Sequence, residues 1–317
     1  MSTAVPRIHA PAPEAPIAPA AAAPAPVPAP APVPEPAPVP ALRARGLRLA
    51  YDGHVVVPEA DLSIQAGTVT TLIGANGSGK STLLKAFSRL LAPVAGTVEL
   101  AGAPLHSQGA RQVARQLSIL PQKPLTPHAT TVRDLVSRGR HPHQSLLRPW
   151  TRRDAAAVEE ALVATGLREL ADRDAASLSG GQLQRAWIAL VLAQDAPTIL
   201  LDEPTTFLDL SHQLEVLRIV RRINRERGAT IVMVLHDLTL AARFSDRLVA
   251  IKDGCVVADG SPWEVLTPRV LREAFDLEAS VVEDPHTGAP MIVPHEPADA
   301  ADVARPTSPC ADEVSLT

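Results

Sequence analysis

Aromatic residues make up only 3% of the 317 positions, so the bulk of any core has to be aliphatic. Cysteine is nearly absent. Cys255 and Cys310 stand at a spacing that suits neither a disulfide framework nor a metal knuckle, which favours a reducing compartment. No run of about 18 apolar residues is free of charge or proline, so the sequence offers no membrane-spanning helix, and any role at a membrane has to come through a partner. Positive charge is not in excess either. Thirty Lys and Arg against 34 Asp and Glu leave a formal net charge of -4, and no overall basic field is available to hold DNA or RNA.

Proline and alanine are abundant, and they are placed unevenly. From Pro6 to Pro40 the chain is mostly Ala and Pro, a composition that removes backbone donors, forbids helix and offers little to bury. Residues 1–41 are therefore expected to form a disordered, partly extended tail. The Ala20 to Ala23 stretch is short, flanked by proline and preceded by no charged n-region, so it does not read as an export signal. The globular part is expected over 42–294, followed by a polar, disordered tail at 295–317, and no internal repeat is visible.

Within the globular part, Leu42, Leu47, Leu49 and Val55 to Val57 predict strands around the Asp52-Gly53 turn, with another at Leu62 and Ile64. Val69 to Ile73 is a short apolar run that ends in glycines and feeds a segment with Leu83, Leu84, Phe87 and Leu90 at helical spacing. Thr151 to Asp154 reads as a capping box and Gly166 as the stop of the following helix, which makes about 125–180 mostly helical. Beyond it, strand and helix signals alternate through Thr198–Leu201, Leu214–Ile223, Ala229–Leu235, Leu238–Phe244 and Leu248–Ile251. That alternation predicts an α/β fold with a parallel sheet and crossover helices. Val281-Val282 and Met291 to Val293 flank a turn and predict a closing hairpin.

Gly74-Ala75-Asn76-Gly77-Ser78-Gly79-Lys80-Ser81 fits G-x-x-x-x-G-K-[ST], a pattern expected by chance on the order of once in a hundred chains of this length. It lies between a predicted buried strand and a predicted helix, where backbone N–H groups converge on phosphate oxygens. Lys80 would face the β- and γ-phosphates of ATP, and the Ser81 hydroxyl would ligate Mg²⁺. A second apolar strand, Ile199 to Leu201, runs into Asp202-Glu203. Such an acidic pair at the carboxyl edge of a parallel sheet suits Mg²⁺ binding by Asp202 and a general base at Glu203, although the pair alone would equally fit a solvated strand end.

Leu178-Ser179-Gly180-Gly181-Gln182 precedes a helical segment and then that acidic strand. Ser179 can cap the helix, and the two glycines let its N-terminus approach a phosphate. The order of phosphate loop, glutamine, LSGGQ, acidic strand and histidine, over residues 42–294, resembles the ABC ATPase family. The resemblance implies a P-loop NTPase cassette with a RecA-like parallel-sheet core, an antiparallel β subdomain and a helical subdomain. It further implies that two cassettes sandwich two ATP molecules, with Ser179, Gly180, Gly181, Gln182 and Asp209 acting on nucleotide held by the partner. In the holding cassette, the nucleotide residues run from Gly74 to Ser81 and on to Thr82. Gln122 matches the glutamine linking Mg²⁺ and water to the helical subdomain, and His236 the histidine at the γ-phosphate beside Glu203. Tyr51 matches the aromatic that stacks on adenine. Each also has a bland reading: a polar residue after Pro121, a structural histidine, a strand-edge aromatic.

Looser similarities, at Leu192 to Asp195, at Leu201 to Asp209, at Arg138 to Gln144 and in the terminal hairpin, resemble bacterial ferric-siderophore importer cassettes, whose relatives serve heme, cobalamin and some metal ions. The resemblance implies a peripheral subunit on the cytoplasmic face of the bacterial inner membrane. Its partners would be an integral-membrane permease and, indirectly, a periplasmic or lipoprotein substrate-binding protein, with no nucleic acid. An exporter ATPase, or a non-transport ATPase acting on ribosomes or chromosomes, fits less well, because no membrane region is fused, no second cassette appears and no long coiled coil is inserted. His141 and His143 alternate as metal ligands can, yet the adjacent Pro142 favours a turn. Arg138, Arg140, Arg148, Arg152 and Arg153 make the middle of the chain locally basic, a pattern that fits either a plain solvated face or a face toward the permease and nearby anionic lipid.

Overall fold

The computed structural model describes residues 39–124, 129–145 and 149–295. The Ala/Pro-rich stretch up to residue 38, Arg148, and the segment after His295 with Cys310 lie outside the described residues, as do the tails expected there.

The first sheet is antiparallel. Strand β1 (Leu42–Tyr51) turns at Asp52-Gly53 into β2 (His54–Val57), and β3 (Leu62–Ile64) pairs beside it on β1. Residues β5 (Ala95–Leu100) and β6 (Ala103–Pro104) complete it in the order β2-β1-β5-β6. Leu42, Ala44, Leu47 and Leu49 of β1 are buried under this sheet together with Leu83, Leu84 and Phe87. Those three belong to α1 (Lys80–Phe87), whose apolar residues at i, i+1 and i+4 form one face.

The central sheet has the order β11-β10-β4-β9-β8-β7. Its parallel strands are β4 (Val69–Ile73), β7 (Leu117–Leu120), β8 (Thr198–Asp202), β9 (Thr230–Val234) and β10 (Arg247–Lys252), and β11 (Cys255–Gly260) closes one edge antiparallel to β10. All five residues of β4, of β8 and of β9 are buried. This is why these segments read as apolar runs and not as alternations: both faces of a parallel sheet are covered by helices. The crossovers include α6 (Leu210–Arg227), between β8 and β9, and α7 (Leu238–Phe244), between β9 and β10.

A short helix α2 (Ala110–Ala114) leads into β7. Between β7 and β8 lie α3 (Val132–Ser137), α4 (Arg152–Ala164) and α5 (Gly180–Ala193), joined by short 3-10 turns. Leu135, Val136, Val158, Ala161, Leu162, Ala186 and Ala189 pack them together. The capping box expected at Thr151 is present: Asp154 N–H donates to Thr151 Oγ1 at 3.3 Å, and Asp154 Oδ2 accepts from Thr151 N at 3.0 Å. Asp154 does a second task. Arg140, 1% exposed, donates its Nε to Asp154 Oδ1 at 2.9 Å and its Nη1 to the Ala193 carbonyl at 2.8 Å. The basic face predicted from the arginines is therefore corrected at Arg140, which is a buried tie between α4 and α5, while Arg138, Arg152 and Arg153 are exposed.

The chain continues through α8 (Pro262–Val265) and α9 (Pro268–Phe275) to the hairpin β12 (Ala279–Glu283) and β13 (Pro290–Pro294). Among the described residues no helix is long and apolar enough to cross a membrane.

Candidate functional site

Strand β4 ends at Ile73, and the backbone turns through Gly74 to Gly79 before α1 begins. Gly74 has φ 154°, and a Cβ there would lie 2.2 Å from the Ile251 carbonyl oxygen and 2.6 Å from Ser78 Oγ, so only glycine passes beneath the end of β10. Ala75, Asn76 and Gly77 face solvent, whereas Ser78, Gly79 and Lys80 are buried and Ser81 and Thr82 half-buried. No side chain caps α1, which leaves its N–H dipoles directed at the hollow of the loop. Lys80 folds back over that hollow. Its Nζ donates to the carbonyl oxygens of Gly74 (2.9 Å) and Ala75 (2.8 Å). Burial pulls the Lys80 ammonium below its ordinary pKa, more than the negative charges of Glu203 and Asp202 raise it.

Strand β8 brings Asp202 to the same place, and Ser81 Oγ donates to Asp202 Oδ1 at 2.8 Å. Burial pushes the Asp202 carboxyl upward, with the Glu203 charge adding to it and the Ser81 hydrogen bond and the Lys85 and Lys80 charges opposing it. Glu203, next along, has φ 52°, a left-handed conformation costly for a residue with a Cβ. It accepts from Gln122 Nε2 (2.5 Å) and Thr206 Oγ1 (2.9 Å) on one oxygen, and it meets His236 Nε2 (2.7 Å) on the other. Burial alone would raise this carboxyl. The hydrogen bonds from Gln122, His236 and Thr206 outweigh it and hold Glu203 below the usual range, so it is ionised at neutral pH.

One corner of the molecule thus gathers the predicted Lys80, Ser81, Gln122, Asp202, Glu203 and His236. The sequence reading missed Thr206. Its signal was the three-residue spacing after Glu203, which lets a side chain past the turn reach back. Tyr51 stands beside α1, 38% exposed, with the Lys85 ammonium 5.7 Å from its ring centre.

The remaining predicted residues form a second group. Ser179 is the N-cap of α5: Gln182 N–H donates to Ser179 Oγ at 3.3 Å, and Gln182 Oε1 accepts from Ser179 N at 3.1 Å. Ser179 and Gly180 are exposed, and Gly181 is buried. Asp209 caps α6 and is held down to about pKa 2 by the backbone N–H of His212, with Ser211 Oγ and the His212 ring adding to it. His143 Nε2 lies 2.7 Å from the Gln194 carbonyl, and among the described residues no group of three or more His, Cys, Asp or Glu could hold a metal ion.

A glycine-lined loop between strand and helix, a buried lysine and two acids at the carboxyl edge of a parallel sheet define a nucleotide-binding ATPase of the P-loop class. Comparison with known proteins narrows the class. The ABC transporter family profile matches residues 57–206. The chain is 47% identical over 267 residues to the achromobactin transport ATP-binding protein of Dickeya dadantii strain 3937, covering 83% of this chain and 99% of that one. It is 45% identical over 256 residues to the iron(3+)-hydroxamate import ATP-binding protein of Bacillus subtilis strain 168, covering 81% and 95%. The dimeric structure of a bacterial ABC transporter cassette is similar with a TM-score of 0.62 at 25% identity, over 69% of this chain and 98% of that one. The chain belongs to the ABC transporter ATP-binding proteins.

Proposed function

We propose that the chain is the ATP-hydrolysing subunit of a bacterial importer of ferric siderophores. The observation that carries the catalytic part is the Glu203 carboxylate, kept ionised by Gln122, His236 and Thr206 next to Lys80 and the Ser81–Asp202 pair. The substrate part is supported by the relatives named above, which are described as achromobactin transport and iron(3+)-hydroxamate import proteins.

Ser81 Oγ and Asp202 Oδ1, 2.8 Å apart, are hard oxygen donors of the kind a small divalent cation prefers, and they fit Mg²⁺, with Gln122 at its side. Held by these residues, Mg²⁺ would supply positive charge that neutralises the phosphates of ATP. Lys80 releases the loop carbonyls to face those phosphates, and the N–H groups from Gly74 to Thr82 wrap them. Tyr51 offers a ring face to the adenine. Glu203 orients the attacking water and takes its proton at a carboxylate oxygen, while His236 contacts the γ-phosphate from the opposite side of Glu203. Ser179, Gly180, Gly181, Gln182 and Asp209 act on the nucleotide held by a second cassette, so a homodimer carries two shared sites. ATP binding closes that dimer, hydrolysis reopens it, and an integral-membrane permease follows the motion. This places the protein on the cytoplasmic face of the inner membrane, with the substrate-binding protein acting across the permease. Residues 1–41 and 295–317 are proposed as tails outside a 42–294 cassette, with the helical subdomain at about 125–180.

The test is uptake of radiolabelled ferric siderophores by cells carrying the intact chain or Lys80→Ala. Iron uptake is expected to fall to background with Lys80→Ala. Equal uptake in both strains removes the siderophore reading.

A further inference from the structure

Gly181 lies in the first turn of α5, and its missing side chain is occupied by another residue. A Cβ built there would meet His212 Cδ2 at 2.6 Å, Cγ at 3.1 Å and Nε2 at 3.2 Å, so the imidazole lies flat against the backbone at Gly181. The ring that fills this space is held from its other edge as well. Its Nδ1 is 2.8 Å from Asp209 Oδ1, the same oxygen that accepts the His212 N–H at 3.0 Å. Ser211 Oγ holds that oxygen too, at 2.8 Å. One carboxylate therefore caps α6 and aims a ring at the start of α5. One turn further along both helices, Arg185 and Glu215 form an ion pair that ties α5 to α6 again.

We infer that His212 is a positioning residue: oriented by Asp209, its ring sets the distance between the start of α6 and the Ser179–Gln182 turn of the same chain. The inference rests on the proposed shared site, in which both Asp209 and the Ser179 turn act on the partner's nucleotide. It adds that the two are held as one unit. A shift in the loop after Glu203 then moves the Ser179 turn directly, through a single ring. His212 itself need not touch nucleotide. The rigidity matters because a displacement of about 1 Å in a positioning group costs on the order of a hundredfold in rate.

The experiment uses the full chain, with His212→Ala and His212→Phe, the second keeping a flat ring against Gly181 without the Nδ1 link. The Arg185–Glu215 pair remains in both variants and keeps α5 on α6. Affinity for ATP in the presence of Mg²⁺ and the maximal rate of phosphate release are measured separately. The expected result is unchanged ATP affinity in both variants, a rate lowered about tenfold in His212→Ala, and recovery of at least a third of the wild-type rate in His212→Phe. An unaltered rate in His212→Ala overturns the inference, as does a His212→Phe variant no better than His212→Ala. The shared-site reading is checked in the same samples by ATP-dependent dimerisation of Glu203→Gln. If that variant stays monomeric with ATP, the shared site fails and the inference falls with it. If it dimerises while His212→Ala turns over normally, only the inference falls.

Discussion

Glu203 combines two costs that a resting carboxylate would avoid, a left-handed backbone and partial burial, and three hydrogen bonds offset them. Their effect on acidity can be separated. Gln122 supplies a donor that favours the ionised form, so Gln122→Ala should raise the Glu203 pKa, and the acid limb of the turnover rate should move to higher pH. Rates of phosphate release from about pH 3.5 to 7, a window that spans the ordinary carboxylate value, check this, and superimposed profiles would mean that Gln122 does not hold the carboxylate. At this scale the sequence was informative wherever a motif fixes residue types at fixed spacing. Lys80 and Ser81 follow one buried strand and Asp202 and Glu203 end another, and a parallel sheet carries such strand ends to the same edge. It was uninformative where a contact depends on where two distant segments meet: nothing in the order of residues shows that His212 lies on Gly181, or that Arg140 finds Asp154.

Among the elements, α4 and α5 are tied by the buried Arg140–Asp154 ion pair in addition to their apolar packing. Breaking such a pair leaves an uncompensated charge, which costs about 3–5 kcal/mol, so Asp154→Asn should be strongly destabilised at pH 7 in urea unfolding. The acid dependence follows from the sign of the shift. The Thr151 and Arg140 hydrogen bonds overcome burial and lower Asp154 to about 2, below its unfolded value of about 3.9. Its stabilising contribution is complete above the unfolded value and is lost as pH falls toward 2. The gap between wild type and Asp154→Asn should therefore narrow below about pH 4, and a constant gap would contradict the assignment. Elements with uniform or periodic patterns, such as β4, β8, β9 and α6, were legible in the sequence. The short β7 was not read, because four residues carry too little pattern to distinguish a strand from a turn. Strand β5 and the edge strand β11, each with several partly exposed residues, lacked the continuous apolar run of the central ones.

For the molecule as a whole, the proposed shared site would make activity a property of pairs. Lys80→Ala and Ser179→Arg should each be nearly inactive, but a one-to-one mixture should regain up to about a quarter of wild-type turnover. Half of the randomly formed dimers are mixed, and each mixed dimer contains one intact site of two. Phosphate release from the mixture measures it, and a mixture no better than its components would argue that no site is shared between chains. The α/β class, the order of the motifs and the terminal hairpin were all visible from alternation and turn residues. The placement of α3 to α5 against the sheet was not, since it depends on contacts made far apart in the chain.

The tether of Lys80 to the carbonyls of Gly74 and Ala75 bears on how the loop meets the small anions that crowd a cell. A chloride or a single phosphate arriving at the loop must take the ammonium away from two well-placed oxygens and offers only a few contacts in return. A chain of linked phosphates engages the lysine and the loop N–H groups at once and readily displaces them. Displacing Lys80 from both oxygens therefore favours an anion that makes several contacts at once over one that makes few.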